Sequence, residues 1–67
     1  MILYTPLKKT MKEKGITTYT LTQKHKISSN TLYRFRHNLP ISTVTLNDLC
    51  AILQCRVEDI LVYVPDE

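Results

Sequence analysis

The chain has 67 residues, of which 43% are hydrophobic and 22% are charged, and its formal net charge at pH 7 is +3. A chain of this length can form one hydrophobic core, so we expect a single domain over residues 1–67. The composition is globular and excludes a disordered chain, and the longest apolar run is too short to span a bilayer. Because the N-terminus also lacks the pattern of a signal peptide, we expect a cytoplasmic protein.

The charges are distributed unevenly along the chain. Residues 1–38 contain eight Lys and Arg and one Glu, whereas residues 39–67 contain one Arg and five acidic residues. A domain that is basic in one half and acidic in the other can attract a polyanion to one face. A solvated basic surface would have the same composition, so charge alone does not decide between the two interpretations.

Residues with catalytic or metal-binding chemistry are sparse. Cys50 and Cys55 lie in an apolar segment without a second Cys pair or a spaced His pair, so we expect buried free thiols, with no metal and no cofactor. The sequence has no Gly-rich phosphate loop, Cys-His arrangement or plausible acid pair. We therefore expect that the protein is not an enzyme.

Apolar spacing predicts five helices, the first from about Pro6 to Lys14 with Gly15 as its left-handed stop. The second begins after Thr17 or Thr18 and ends near His25. The third begins at the N-cap Ser28, almost directly after the second, and runs to about residue 37. A tight turn must therefore join these two helices. The predicted inward residues of this part are Leu7, Met11, Ile16, Leu21, Leu32 and Phe35.

Asn38 and Pro40 end the third helix, since Asn tolerates the left-handed region and Pro cannot continue a helix. A fourth helix is predicted after Ser42 or Thr43, and a short fifth helix from about Val57 to Tyr63. The predicted core residues of this half are Leu46, Leu49, Cys50, Leu53, Ile60, Leu61 and Val64.

Residues 18–36 read TYTLTQKHKISSNTLYRFR, which is a helix, a tight turn and a second helix. Together with Ile16 and the apolar patterns of the last two predicted helices, this segment resembles the Cro/repressor helix-turn-helix family, also called lambda-repressor-like or XRE. The resemblance covers Leu7 to Val64. It implies an all-α, compact five-helix bundle whose third helix reads the DNA major groove, and the function of a small transcriptional regulator, most simply a repressor.

The same resemblance assigns the residues that contact DNA. If Leu32 and Phe35 face the core, other side chains of the third helix point outward, where Asn can bond adenine and Arg can bond guanine bidentately. The predicted base-reading residues are Ser29, Asn30, Tyr33 and Arg34. The predicted contacts to the DNA backbone are Thr18, Tyr19, Gln23, Lys26, Thr31, Arg36, His37 and Asn38, with diffuse attraction from Lys8, Lys9 and Lys12.

Each of these assignments has a structural alternative. Ser29 and Asn30 could serve only as helix caps, Tyr33 could pack half-buried, and Arg36 could pair with Glu13. The sequence also departs from the family pattern. Many members have Ala at the position of Thr22 and Gly at those of Lys26 and Asn38, so the last two residues are predicted in the left-handed region.

Double-stranded DNA is the expected partner, and we expect neither a membrane nor a small-molecule ligand. Because one helix-turn-helix unit reads few base pairs, a homodimer through the C-terminal helix and tail is plausible, with Val62, Tyr63 and Val64 as candidate contacts. Alternatively, these three residues complete the core. The alternative function is a protein-interaction module on the same fold, such as an antitoxin-like or co-regulatory domain.

Overall fold

The computed structural model describes residues 1–66. Its elements are β1 (Ile2–Leu3), α1 (Thr5–Lys14), α2 (Thr18–Gln23), α3 (Ser29–Arg36), α4 (Thr43–Leu53), a 3-10 turn (Val57–Asp59) and β2 (Val62–Tyr63). The strands form one antiparallel pair in which Ile2 lies opposite Tyr63 and Leu3 opposite Val62. The fold is therefore mostly helical, with a small sheet that joins the two ends of the chain.

The apolar spacing of the sequence identifies most of the hydrophobic core correctly. The buried apolar residues are Tyr4, Leu7, Leu21, Leu32, Phe35, Leu49, Leu53 and Ile60, and all but Tyr4 were predicted. Five other predicted residues, Met11, Ile16, Leu46, Cys50 and Leu61, are half-buried and pack against them. One core thus fixes the inward faces of all four helices.

Hydroxyl side chains cap the three helices after α1, as the sequence predicts. The side-chain oxygens of Thr17, Ser28 and Ser42 each accept from the backbone N–H three residues later, at 3.1 Å. Each cap satisfies one of the backbone donors that a helix start leaves free. Helices α2 and α3 therefore start at the predicted positions, although α2 ends at Gln23, before the predicted His25.

Within residues 1–66, four residues adopt the left-handed region that ends helices or reverses the chain. Gly15 has φ 68°, Lys26 60°, Asn38 56° and Gln54 50°. The predictions for the first three are confirmed, whereas Gln54 at the end of α4 was not predicted. For a residue with a side chain this conformation costs about 1 kcal/mol or more, with Asn the best tolerated.

The predicted fifth helix is wrong. Only Val57–Asp59 forms a helical turn, of 3-10 type, and the Asp59 carboxylate accepts from the Arg56 N–H at 3.0 Å. The following residues Val62 and Tyr63 form a strand, because β-branched and aromatic side chains suit a strand and β1 offers them a partner. Val64 was predicted in the core, but it is 38% exposed and its N–H donates to the carbonyl of Met1.

Tyr4 attaches the start of α1 to the loop after α3. Its N–H donates to Asn38 Oδ1 at 3.0 Å, its hydroxyl donates to the Leu39 carbonyl at 2.7 Å, and its ring meets Phe35 edge-on with centroids 5.0 Å apart. Burial raises the pKa of the Tyr4 phenol, and the Arg34 guanidinium offsets part of that rise. These contacts hold α3 against α1.

The cysteines are free thiols, and both are half-buried where fuller burial was predicted. Burial raises the pKa of the Cys55 thiol, and the neighbouring Cys50 adds to the effect. Within residues 1–66 there is no group of three or more His, Cys, Asp or Glu residues that could hold a metal ion. Among the same residues, none of the helices has the length and apolar character needed to cross a membrane.

Candidate nucleic-acid interface

The turn between α2 and α3 is closed by backbone contacts on its inner side. The Ile27 N–H donates to the Leu21 carbonyl at 3.0 Å, and the left-handed Lys26 reverses the chain just before it. Leu21 and Leu32, one on each helix, are buried in the common core. The relative orientation of the two helices is therefore set by packing and by the turn together, as a helix-turn-helix requires.

The outward face of α3 begins with Ser29 and Asn30, which are exposed and whose side chains take part in none of the hydrogen bonds of the described residues. Ser28, one residue earlier, is the cap, so the alternative role of these two residues as caps is wrong. Tyr33 is 51% exposed, and its ring lies 4.2 Å from that of His37 with a tilt of 41°. Three of the four predicted base-reading residues thus share an open face.

Arg34, the fourth predicted base-reading residue, is held differently. Its side chain is half-buried, and Nη1 donates to the Pro40 carbonyl at 2.8 Å. The guanidinium therefore braces the loop after α3 in this structure. A contact to a base would use the other N–H donors of the guanidinium or exchange this hydrogen bond for one to DNA.

Most of the predicted backbone contacts are exposed. From α2 they are Thr18, Gln23 and Tyr19, of which Tyr19 is 72% exposed. The turn contributes Lys26, and the end of α3 contributes Arg36 and His37. Two predicted contacts are engaged within the protein. The Thr31 hydroxyl is 2.9 Å from Ser28 Oγ, and Asn38 Oδ1 accepts from Tyr4.

Cations dominate this part of the molecule. Between Glu13 and Asp48 the sequence contains five Lys and Arg residues and no acid. The ion pairs in the described part of the chain are Met1 N-terminus to Asp66 at 2.7 Å and Arg56 to Glu58 at 3.7 Å, so the proposed pairing of Arg36 with Glu13 does not form. The cations beside α2 and α3 are thus left without an acid from the same region of sequence.

A family model described as the Cro/C1-type HTH DNA-binding domain matches residues 6–66. The chain belongs to this family. As a Cro/C1-type HTH domain, it has α2 and α3 as its helix-turn-helix, and the resemblance inferred from residues 18–36 is confirmed. Membership of this family supports DNA binding and transcriptional regulation.

The fold of this HTH domain is also similar to a solved structure, the crystal structure of the transcriptional regulator VanUg. The TM-score is 0.86 over 97% of this chain and 87% of the other, at 23% sequence identity. At this identity the likeness concerns the fold. No curated protein matches the chain.

Two residues relevant to this surface were not predicted from the sequence. Lys24 is exposed at the end of α2, and its place in the run Lys24, His25, Lys26 was the available signal. Tyr4 positions Asn38 and the loop after α3, but a Tyr two residues before a Pro carries no comparable signal. The first adds charge to the surface, and the second shapes it.

Proposed function

We propose that this Cro/C1-type HTH domain binds double-stranded DNA in a sequence-specific manner, with α3 in the major groove, and acts as a transcriptional repressor. The observation that carries the proposal is the open face of Ser29, Asn30 and Tyr33 on a capped helix, in a region of sequence without acids. A polar helix face of this kind can meet base edges, while the surrounding cations meet phosphates.

The roles of the side chains follow from their chemistry. Asn30 is suited to a bidentate contact with adenine, and Ser29 beside it is small enough to let the helix start approach a base pair. Arg34 is suited to guanine, through its remaining N–H donors or after it leaves the Pro40 carbonyl. Tyr19, Lys26 and other exposed residues around α2 then contact phosphates and set the register without reading sequence.

We further propose that the protein binds its operator as a homodimer. Val62, Tyr63 and Val64 are exposed on or beside β2, so a strand and tail would replace the helix and tail expected from the sequence as the contact. Two copies would read half-sites about 34 Å apart, one helical turn of DNA. Repression then needs only occupancy of a promoter. We propose no catalytic step and no cofactor, and a cytoplasmic site of action beside the DNA.

The proposal is tested by binding the full chain to a library of random-sequence duplexes, selecting the tightest sequences, and measuring affinity for them over a range of salt concentrations. A domain that covers about five phosphates gives a slope of log affinity against log salt of about −4.5. A recurrent sequence among the selected duplexes and a steep slope support the proposal. A flat salt response and no sequence preference contradict it.

A matched pair of variants separates base reading from backbone contact. Asn30→Ala should weaken the selected site about tenfold or more while leaving random duplexes nearly unaffected, because one base contact is lost. Arg36→Gln should weaken both duplexes equally and lower the salt slope by about 1. The opposite assignment of effects would mean that α3 does not enter the groove through its Asn30 face.

A second candidate function is a protein-interaction module of the antitoxin-like or co-regulatory kind. The exposed apolar side chains of Val62 and Tyr63 favour a protein contact of some sort. Sedimentation of the free protein distinguishes the cases, because a homodimer forms without any other protein. If the chain stays monomeric at high concentration and shows no selected DNA site, this second candidate replaces the first.

A further inference from the structure

An apolar groove runs between α1 and α3, next to residues that the proposed function assigns to DNA contacts. Its volume is about 810 Å³, and it is open to solvent. Its floor is formed by Leu7, Met11, Ile16, Leu32 and Phe35. Three of these are buried core residues, so the floor is held in place by the fold.

The rim of this groove is cationic. Lys8 and Lys12 lie one turn apart on α1, and Arg36 reaches the groove from the end of α3. None of the three forms an ion pair within residues 1–66. A ligand that suits this lining has an apolar body for the floor and a negative charge for the rim.

The size of the groove favours a small molecule over a protein segment. Pockets for small ligands are apolar, carry a few polar groups and have volumes of about 300–1,000 Å³. A stable protein interface uses about 20–30 residues on each side. Twelve residues line this groove, which is enough for a small ligand and too few for such an interface.

We propose that this groove binds a small amphipathic anion, an aromatic or aliphatic carboxylate, and that its binding weakens the binding of DNA. This departs from the expectation, drawn from the sequence, that the protein takes no small-molecule ligand. The carboxylate lies at the rim formed by Lys8, Lys12 and Arg36, and the apolar body covers Met11 and Ile16.

The effect on DNA follows from residues that belong to both surfaces, and this part rests on the proposed function. Thr18, Arg36 and Asn38 line the groove and are also predicted contacts to DNA phosphates. An anion at Arg36 competes with a phosphate for the same charge and repels others nearby. Because coupling between two sites is reciprocal, bound DNA must weaken the binding of the anion by the same factor.

The site is tested without DNA by titrating the isotope-labelled protein with naphthalene-2-carboxylate and following the backbone amide signals by NMR. The neutral 2-naphthalenemethanol is the matched probe. We expect saturable shifts centred on α1 and α3, with a Kd of about 1 mM or tighter for the carboxylate and clearly weaker binding of the alcohol. Shifts that do not saturate, or that lie elsewhere, overturn the proposal.

Two double variants with equal loss of charge locate the anion. Lys8→Gln with Lys12→Gln should lower the affinity for the carboxylate about fivefold, because each exposed ion pair contributes modestly. The affinity for the alcohol should not change. Lys9→Gln with Lys14→Gln removes the same charge from α1 away from the groove, and should change the carboxylate less than about twofold. Equal losses in both variants would mean general attraction only and would overturn the proposal.

The coupling is measured with the selected duplex from the DNA experiment, by fluorescence anisotropy with and without saturating naphthalene-2-carboxylate. We expect DNA affinity to fall about fivefold or more, with a much smaller fall for the Lys8 and Lys12 double variant. If no duplex binds, the proposed function fails while the NMR result still decides the site. If DNA binds equally well with the carboxylate in place, the regulatory part of the proposal is refuted.

Discussion

Lys26 offers a test of how the turn of the HTH domain is built, because its strain and its charge act on different properties. Its backbone lies in the left-handed region at φ 60°, and its exposed side chain takes part in none of the hydrogen bonds or ion pairs of residues 1–66. For a residue with a side chain this conformation costs about 1–2 kcal/mol. Lys26→Gly removes that cost, but glycine also gains about 0.4–1 kcal/mol of freedom in the unfolded chain. The expected net gain in unfolding free energy is about 0.5–1 kcal/mol.

Gly15 provides the matched reference within the same chain. It has φ 68°, and a Cβ added there meets no atom within 4 Å, so Gly15→Ala introduces the conformational cost without a clash. We expect this variant to lose about the amount that Lys26→Gly gains. In a domain of this size, a change of 1 kcal/mol moves the Tm by about 4–8 °C, which thermal denaturation followed by circular dichroism resolves easily.

The same Lys26→Gly variant should bind DNA less well although it is more stable. Loss of one phosphate contact lowers the affinity for all duplexes alike and reduces the salt slope by about 1. A lower Tm for Lys26→Gly, with Gly15→Ala behaving as expected, would refute the view that the backbone of Lys26 is strained and that its side chain does not stabilise the fold. An unchanged salt slope would remove Lys26 from the DNA-contacting surface.

Two further predictions concern the contacts that hold α1. Tyr4→Phe loses the hydrogen bond to the Leu39 carbonyl and should cost about 1 kcal/mol, measured by urea denaturation. The folded state raises the pKa of Tyr4 above its ordinary value of 10.0, so the phenol contributes its full stabilisation below this pH. That stabilisation is lost as the pH rises through the raised pKa. The difference in unfolding free energy between the unchanged protein and Tyr4→Phe should therefore shrink above about pH 10. Thr10→Val leaves the Asp59 carbonyl without its donor at 2.6 Å and should cost about 1–3 kcal/mol. Thr10→Ser keeps the donor and should cost only the loss of one buried methyl group, about 0.8 kcal/mol.

Local chemistry explains why much of the fold could be predicted from the sequence. The spacing of Leu32 and Phe35 determines which face of α3 is buried, whatever the helix packs against. The Ser28 cap depends on atoms only three residues apart. Lys26 and Asn38 were predicted in the left-handed region from the family resemblance, and both adopt it.

Contacts between distant parts of the chain explain what the sequence did not reveal. Val62 and Tyr63 follow an apolar pattern that a short helix or a strand could satisfy, and only the pairing with Ile2 and Leu3 decides in favour of the strand. The burial of Tyr4 likewise depends on Asn38, which lies 34 residues away. Neither partner can be identified from spacing within a single element.

The same limit applies to the candidate site, and Arg34 shows where it lies. Periodicity places this residue at the edge of the outward face of α3, but it does not reveal that the guanidinium is bonded to the Pro40 carbonyl. The side chain of Asn30 makes no hydrogen bond within residues 1–66, so in the proposed complex it would contact a base with no internal bond to break. In the proposed complex, a contact from Arg34 Nη1 to guanine would replace its hydrogen bond to the Pro40 carbonyl, so its net contribution to affinity would be smaller than that of an arginine without such a bond. Discrimination between sequences by this domain should therefore depend more on Asn30 than on Arg34.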